Sequence, residues 1–201
     1  MVRSQPEENV AADLAAGAWL VYRHNFLTEE GRVVDNRAGG ISHSESQGYG
    51  MLMAEAADDR DSFDRIWLWT KANLFVRDDG LAAWRWDPTQ MPPITDRNNA
   101  TDGDLLIAWA LMRGGQRWGD VDLQREARRI SDAIIARTAI DTAHGLVMLP
   151  GVQGFGENDQ ADGPVVNMAY WIFPAIVDLG RLSNRFPSAA LMDSGVRLLR
   201  E

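Results

Sequence analysis

The sequence predicts an all-α fold, and three observations support that prediction. Several long segments repeat apolar residues at the i, i+3, i+4 spacing that places them on one face of an α-helix. The stretches between these segments are rich in glycine and proline, which interrupt helices. Of the 201 residues, 45% are hydrophobic and 24% are charged, a balance typical of a folded globular chain rather than a disordered one.

About seven helices are predicted in chain order. Their predicted bounds are 6–27, 45–57, 62–75, 102–118, 121–138, 166–182 and from 188 onwards. The intervening stretches 28–44, 76–101 and 139–164 are predicted as loops, the second with short extended pieces. Loops on a helical scaffold commonly carry the functional site. The last helix keeps its apolar pattern almost to residue 201 without a glycine or proline stop signal, which favours a domain that continues further.

The overall charge and the rare residue types argue against several classes of function. A formal net charge of −9 disfavours nucleic acid as a partner, because binding a phosphate backbone requires clustered cations. The chain has no cysteine, and its histidines (His24, His43 and His144) lie far apart in sequence. We therefore expect no metal site and no other cofactor. The apolar runs are too short to span a bilayer, so no membrane insertion is expected, and no signal peptide is visible.

Glu45 is the first candidate for chemistry, because it enters a predicted helix among three serines. Two capping boxes fit the same residues, Ser42-x-x-Glu45 and Ser44-x-x-Gln47, in which a serine and a residue three positions later satisfy the backbone at a helix start. Local pattern alone favours this capping role. A carboxyl ringed by serines is also a plausible proton donor, so both interpretations stay open at this point.

Gly48 and Gly50 follow Glu45 inside the same predicted helix. Glycine in a helix interior costs roughly 1 kcal/mol relative to alanine. Such glycines are expected where something must approach the backbone closely, either another helix or a ligand.

Asp102 is the second candidate, at the start of the predicted helix 102–118. Thr101 or Asp102 is predicted to cap that helix. Asp104 lies two positions further on, so the two carboxyls do not share a helix face and are not a catalytic pair. A carboxylate at a helix N-terminus is stabilised in its ionised form. Asp102 is therefore expected to bind a sugar hydroxyl or an electropositive transition state rather than to donate a proton, with simple capping as the alternative.

Aromatic residues supply the third group of candidates. Eight tryptophans are many for 201 residues, and although most are expected to fill the core, a flat indole suits stacking on a sugar ring. Trp84 lies in a predicted loop, where an aromatic side chain is less easily explained as core, and it is the stacking candidate. Near residue 170, Tyr170 or Trp171 either faces a groove or packs, and we take Tyr170 as a candidate substrate contact.

Five segments together resemble glycoside hydrolase family 8, and within it the endoglucanases linked to bacterial cellulose synthesis. They are 31–35 (GRVVD), 41–51 (ISHSESQGYGM), 63–67 (FDRIW), 81–86 (LAAWRW) and 98–105 (NNATDGDL). Their order and spacing agree over nearly all of the chain. One mild departure is Ser46, where the family usually has glycine beside the acid.

The resemblance implies an (α/α)6 barrel, which needs twelve helices where this chain supplies about seven, so residues 1–201 would be a catalytic domain lacking its C-terminal part. It also implies an inverting endo-β-1,4-glucanase in which Glu45 is the general acid, Asp102 contacts the sugar at the cleavage point and Trp84 stacks on a glucose ring. The general base, commonly an aspartate, would come from a later segment. The implied location is secreted or periplasmic, beside a bacterial cellulose synthase.

Three alternatives remain open from the sequence. The chain could be a xylanase or chitosanase of the same family, or a non-catalytic β-glucan-binding protein that kept the aromatic residues and lost the chemistry. A helical enzyme or scaffold unrelated to carbohydrates is the third. Because the base is expected elsewhere, the chain by itself is predicted to show little or no cellulase activity.

Overall fold

The computed structural model describes the backbone of residues 5–200 and the side chains of residues 16–200. This part of the chain contains seven α-helices: α1 (Gln5–Phe26), α2 (Ser44–Ala56), α3 (Arg60–Asn73), α4 (Thr101–Arg117), α5 (Val121–Thr138), α6 (Phe173–Leu182) and α7 (Ser188–Leu198). The prediction of a helical fold with about seven helices is confirmed. Val10 and Leu14 are apolar residues at helical spacing in the predicted helix 6–27, and their side chains lie outside the described residues. No helix within the described range has the length and apolar character needed to cross a membrane.

A short antiparallel pair links the first two long loops. Strand β1 (Ser42–His43) pairs with β2 (Arg85–Trp86), with Ser42 opposite Trp86 and His43 opposite Arg85. The short extended pieces predicted in 76–101 are therefore present. The pairing attaches the segment that carries Trp84 to the residues immediately before α2.

A second antiparallel pair, which forms a hairpin, corrects the prediction that 139–164 is irregular throughout. Strands β3 (Ala139–Thr142) and β4 (Gly145–Met148) pair along their whole length. The turn between them uses Gly145 at φ +97°, a conformation that glycine adopts without the steric penalty of a side chain. Val147 and Met148 are buried, so tertiary packing stabilises a segment whose glycine content suggested a loop.

The predicted helix 166–182 is wrong in its first half. A single 3-10 turn covers Met168–Tyr170, and α6 begins only at Phe173. Pro174 lies in the first turn of α6, where its missing N–H is not needed. Because it has no N–H to donate to a carbonyl one turn earlier, a helix begins here more readily than it continues through. Asn167 accepts a hydrogen bond from the backbone N–H of Ala169 and so holds the separate turn. Tyr170 therefore sits on a connecting turn rather than on a helix face.

Helix α4 forms the centre of the core and packs between α2 and α5. Its residues from Leu105 to Ile107 are at most 1% exposed. A Cβ atom added to Gly48 of α2 would lie 2.5 Å from the Cβ of Leu106. One added to Gly50 would lie 2.8 Å from Val33 Cγ2. Both glycines therefore serve close packing within the protein, which decides between the two explanations left open by the sequence.

A buried amide fixes the loop before α2. Gln47 is fully buried; its Oε1 accepts from the backbone N–H of Val33 at 2.6 Å, and its Nε2 donates to Thr70 Oγ1 at 2.7 Å. The Ser42 hydroxyl donates to the backbone oxygen of Val33 at 2.5 Å. Because buried polar groups are costly to leave unpaired, these bonds hold the first turn of α2 in one position against α3.

Candidate active site

The first turn of α2 leaves the Glu45 carboxyl free. The residue that precedes the helix is His43, and its backbone N–H donates to Ser46 Oγ at 3.2 Å while that hydroxyl donates back to the His43 carbonyl at 2.8 Å. Both predicted capping boxes are therefore wrong, since Ser42 and Gln47 are bonded elsewhere. Glu45 is exposed and makes no hydrogen bond or ion pair with any residue that the structure describes.

The first turn of α4 is held by the chain beyond the β3–β4 hairpin. The backbone N–H of Thr101 donates to the Pro150 carbonyl at 2.9 Å, and its hydroxyl donates to the Leu149 carbonyl at 2.6 Å. Ala100 occupies the capping position and offers no side-chain hydrogen bond. The prediction that Thr101 or Asp102 caps this helix is therefore wrong, because the Thr101 hydroxyl donates outward.

Gly103 brings the two helix starts together. A Cβ atom at this position would lie 2.1 Å from Ser44 Oγ and 2.8 Å from the backbone nitrogen of Glu45. The first turn of α4 thus abuts the first turn of α2, and Asp102 and Glu45 come to one place from residues 57 positions apart. Ser44 Oγ is buried at this contact and has no hydrogen-bond partner in the described part of the chain.

The environment of Asp102 reverses the effect expected from its helix position. Burial, and then the charge of Glu45, raises the pKa of Asp102 from 3.8 to about 6, against the lowering effect of the Gly103 N–H that bonds Oδ1 at 2.7 Å. From its position at a helix N-terminus, the Asp102 carboxyl was expected to favour its ionised form. Removal from water and a second carboxyl nearby outweigh that effect. At neutral pH, about one unit above this pKa, the carboxylate form still predominates.

The raised pKa predicts how stability depends on pH. Between pH ~4 and ~6 the folded chain holds a proton on Asp102 that the unfolded chain has lost, so the free energy of unfolding falls as pH rises through this window. Asp102→Asn should make that fall smaller. Asp104, whose pKa burial raises to about 7, contributes in the same direction and keeps the fall from vanishing. Urea unfolding at several pH values measures this decrease in the free energy of unfolding, and Asp61→Asn, at an exposed position, is the control. The same decrease in the Asp102 variant as in the unmodified chain would contradict the prediction.

Asp104 has a structural role that is separate from Asp102. It is fully buried, and its two oxygens accept from the backbone N–H of Ala82 at 2.8 Å and from Asn99 Nδ2 at 3.0 Å. The contacts of the two carboxyls agree with the prediction that they do not act as a pair. Asp104 instead anchors the chain two residues before Trp84.

Trp84 lies beside the start of α2. Its carbonyl accepts from the Ser44 N–H at 3.0 Å, and its ring is parallel to that of His43 with centroids 6.1 Å apart. The indole N–H donates to Asp96 at 2.8 Å, which fixes the orientation of the ring. The side chain is half-buried, so part of the indole remains open to a ligand next to Glu45.

Two tyrosines flank the pair of carboxyls. Burial, and then the charges of Glu45 and Asp102, raises the pKa of Tyr49. Burial, and then the charges of Asp102 and Glu45, raises the pKa of Tyr170. The structure thus brings the predicted residues Glu45, Asp102 and Tyr170 together and adds Tyr49, which the sequence interpretation missed. The spacing along the chain could have identified Tyr49, because it lies four residues after Glu45 and residues so spaced share a helix face.

An exposed carboxyl beside a buried one is an arrangement that can donate a proton to a bound molecule and accept hydrogen bonds from its hydroxyl groups. Within residues 16–200, no group of three or more histidine, aspartate or glutamate side chains is arranged to hold a metal ion.

Comparison with known proteins identifies the family of the chain. Residues 8–201 match the profile described as Glycosyl hydrolases family 8. The chain belongs to this family. It is 42% identical over 161 residues to an endoglucanase of Cellulomonas uda, a match that covers 80% of this chain and 44% of that protein. It is 38% identical over 189 residues to a probable endoglucanase of Novacetimonas hansenii, covering 94% of this chain and 54% of the relative.

The family fold is also seen in a solved structure. An endo-β-1,4-glucanase from Acetobacter xylinum superposes with a TM-score of 0.89 at 38% identity, covering 94% of this chain and 58% of that one. The predicted (α/α)6 barrel, of which this chain forms part, is confirmed by this match and its neighbours. The family 8 chain spans about half the length of the relatives it matches.

Proposed function

We propose that this family 8 chain carries the proton-donor part of an endo-β-1,4-glucanase active site. The observation that carries the proposal is the meeting of the first turns of α2 and α4, which places the free carboxyl of Glu45 beside the buried carboxyl of Asp102. The names of the relatives, endoglucanases in two bacteria and an endo-β-1,4-glucanase in a third, support the same substrate class.

Each residue of the proposed site has one task. Glu45 gives its proton to the glycosidic oxygen as the bond to the leaving sugar breaks. Asp102, ionised at neutral pH, accepts a hydrogen bond from a sugar hydroxyl and stabilises the positive charge that develops on the sugar ring. Trp84 offers its half-open indole to a neighbouring glucose ring, and Tyr170 bounds the site next to Asp102.

The second carboxyl of the reaction is proposed to come from a segment outside residues 1–201. An inverting glycosidase activates water with a carboxylate that lies roughly 6.5–9.5 Å from the acid, on the opposite face of the sugar. The resemblance to family 8 implies that this base is an aspartate of a later segment. Residues 1–201 are accordingly proposed to be a catalytic domain without its C-terminal part.

We also propose where the protein is located and which enzyme it works beside. A secreted or periplasmic enzyme that acts on glucan beside a bacterial cellulose synthase fits the relatives from Novacetimonas hansenii and Acetobacter xylinum. Xylan and chitosan are the alternative substrates within the family. A β-glucan-binding protein without chemistry is the alternative function.

The experiment joins residues 1–201 to the C-terminal segment of the Novacetimonas hansenii relative and assays soluble β-1,4-glucan, xylan and chitosan. We expect the chimaera to hydrolyse the glucan with inversion of configuration at the anomeric carbon. NMR of the first product formed measures that configuration. The 201-residue chain alone should release little or no sugar. Cleavage of xylan or chitosan in place of glucan would change the substrate, and binding without cleavage of any polymer would favour the non-catalytic alternative.

A further inference from the structure

Tyr49 is held in a fixed place relative to Glu45. The two residues are four positions apart on α2, which corresponds to a rise of about 6 Å along the helix, and helical side chains lean toward the N-terminus. The neighbouring glycines, Gly48 and Gly50, press against α4 and Val33, so α2 cannot turn about its axis. Tyr49 is therefore presented on the same side as the Glu45 carboxyl.

Like Glu45, and unlike the buried Asp102, Tyr49 has an exposed side chain. It is 46% exposed, and its hydroxyl makes no hydrogen bond with the residues that the structure describes. An exposed aromatic ring offers its flat face, and an exposed phenol its O–H, to a bound molecule. Tyr49 offers both next to the two carboxyls of the proposed site.

The surrounding groups place Tyr49 at one end of the site. Tyr49 shares α2 with Glu45, whereas Tyr170 reaches the two carboxyls from the 3-10 turn before α6. Tyr49 thus lies on the Glu45 side of the pair. Trp84 approaches the start of α2 through Ser44, one turn away from Tyr49.

We propose that Tyr49 contacts substrate on the Glu45 side of the cleavage point, with its ring against one sugar face and its hydroxyl bonded to a sugar hydroxyl. This inference rests on the proposed function, since it requires a glucan in the cleft. It adds a contact on α2 itself, so the helix that carries the acid also positions the sugar next to it.

The test measures cellotetraose binding to the 201-residue chain by calorimetry. Tyr49→Ala should weaken the association about tenfold, because it removes the aromatic surface and the hydroxyl together. Tyr49→Phe should weaken it between about twofold and tenfold, the effect of one hydrogen bond. Leu68→Ala, which truncates another exposed helical side chain, should leave the affinity unchanged.

The outcomes separate this inference from the proposed function. If Trp84→Ala weakens binding and both Tyr49 variants bind like the unmodified chain, the inference is wrong and the proposed function stands. If the unmodified chain does not bind cellotetraose, the inference fails, and hydrolysis by the chimaera decides the proposed function separately. Equal loss in Tyr49→Ala and Leu68→Ala would also overturn the inference.

A second measurement checks the position of Tyr49 without sugar. The chain has three tyrosines, so with Tyr22 and Tyr170 replaced by phenylalanine the phenolate absorbance reports Tyr49 alone. Adding Glu45→Gln should lower the pKa of Tyr49, since a neighbouring negative charge that opposes ionisation is lost. An unchanged titration would show that Tyr49 does not lie beside Glu45 and would overturn the inference.

Discussion

Glu45→Gln is expected to lower the hydrolysis rate of the chimaeric enzyme by about 10²–10⁴-fold, the typical contribution of a general acid. Glutamine keeps the shape of the side chain and removes the proton that the leaving oxygen needs. Glu45 is exposed and unbonded within the described chain, so the substitution should not disturb the fold. Initial rates on soluble β-1,4-glucan measure the effect, and cellotetraose affinity should change little.

The structure offers a control and an independent readout for this variant. Glu29, an exposed glutamate in the loop after α1, is replaced by glutamine as the control and should leave the rate unchanged. Removing the charge of Glu45 should also lower the pKa of Asp102, which NMR of the Asp102 carboxyl carbon follows. If the rate survives in Glu45→Gln, another carboxyl gives the proton. If binding falls as far as the rate, Glu45 holds substrate instead.

Gly103→Ala is expected to separate the first turns of α2 and α4, and with them Glu45 and Asp102. The new Cβ atom would meet the backbone nitrogen of Glu45 at 2.8 Å as well as the Ser44 hydroxyl at 2.1 Å. Turning the serine side chain cannot relieve the backbone contact, so α4 must move away from α2. We expect the free energy of unfolding to fall by about 1–3 kcal/mol, as for overpacked cores. The chimaeric enzyme should lose most of its activity, because Asp102 moves with α4.

Two further variants isolate the cause. Gly17→Ala lies on α1 with no heavy atom within 4 Å of the new Cβ, and should stabilise the chain by up to about 1 kcal/mol through helix propensity. Ser44→Ala combined with Gly103→Ala removes the hydroxyl contact and should restore part of the stability. Urea unfolding compares the four proteins. Gly103→Ala as stable and active as the unmodified chain would show that the two helix starts do not need this close approach.

The helices and the candidate carboxyls of the site could be predicted from the sequence because both depend on order along the chain. Apolar spacing predicts where α2 to α5 lie, since a helix forms from neighbours within one or two turns. Glu45 and Asp102 were predicted because the segments that contain them match a family pattern in order and spacing. The hairpin β3–β4 and the late start of α6 were not predicted correctly, because burial and one proline decide segments of weak periodicity.

The same Glu45 shows what only the tertiary structure decided. Local pattern made it part of a capping box, but the Ser42 hydroxyl donates to Val33, nine residues back, and so the carboxyl is left free. Asp102 was expected to favour its ionised form from its helix position, and burial beside Glu45 raises its pKa instead. Desolvation and charge pairing depend on what lies nearby in space. Sequence order indicated which residues are candidates for the chemistry, and the packing of α2 against α4 decided how they act on one another.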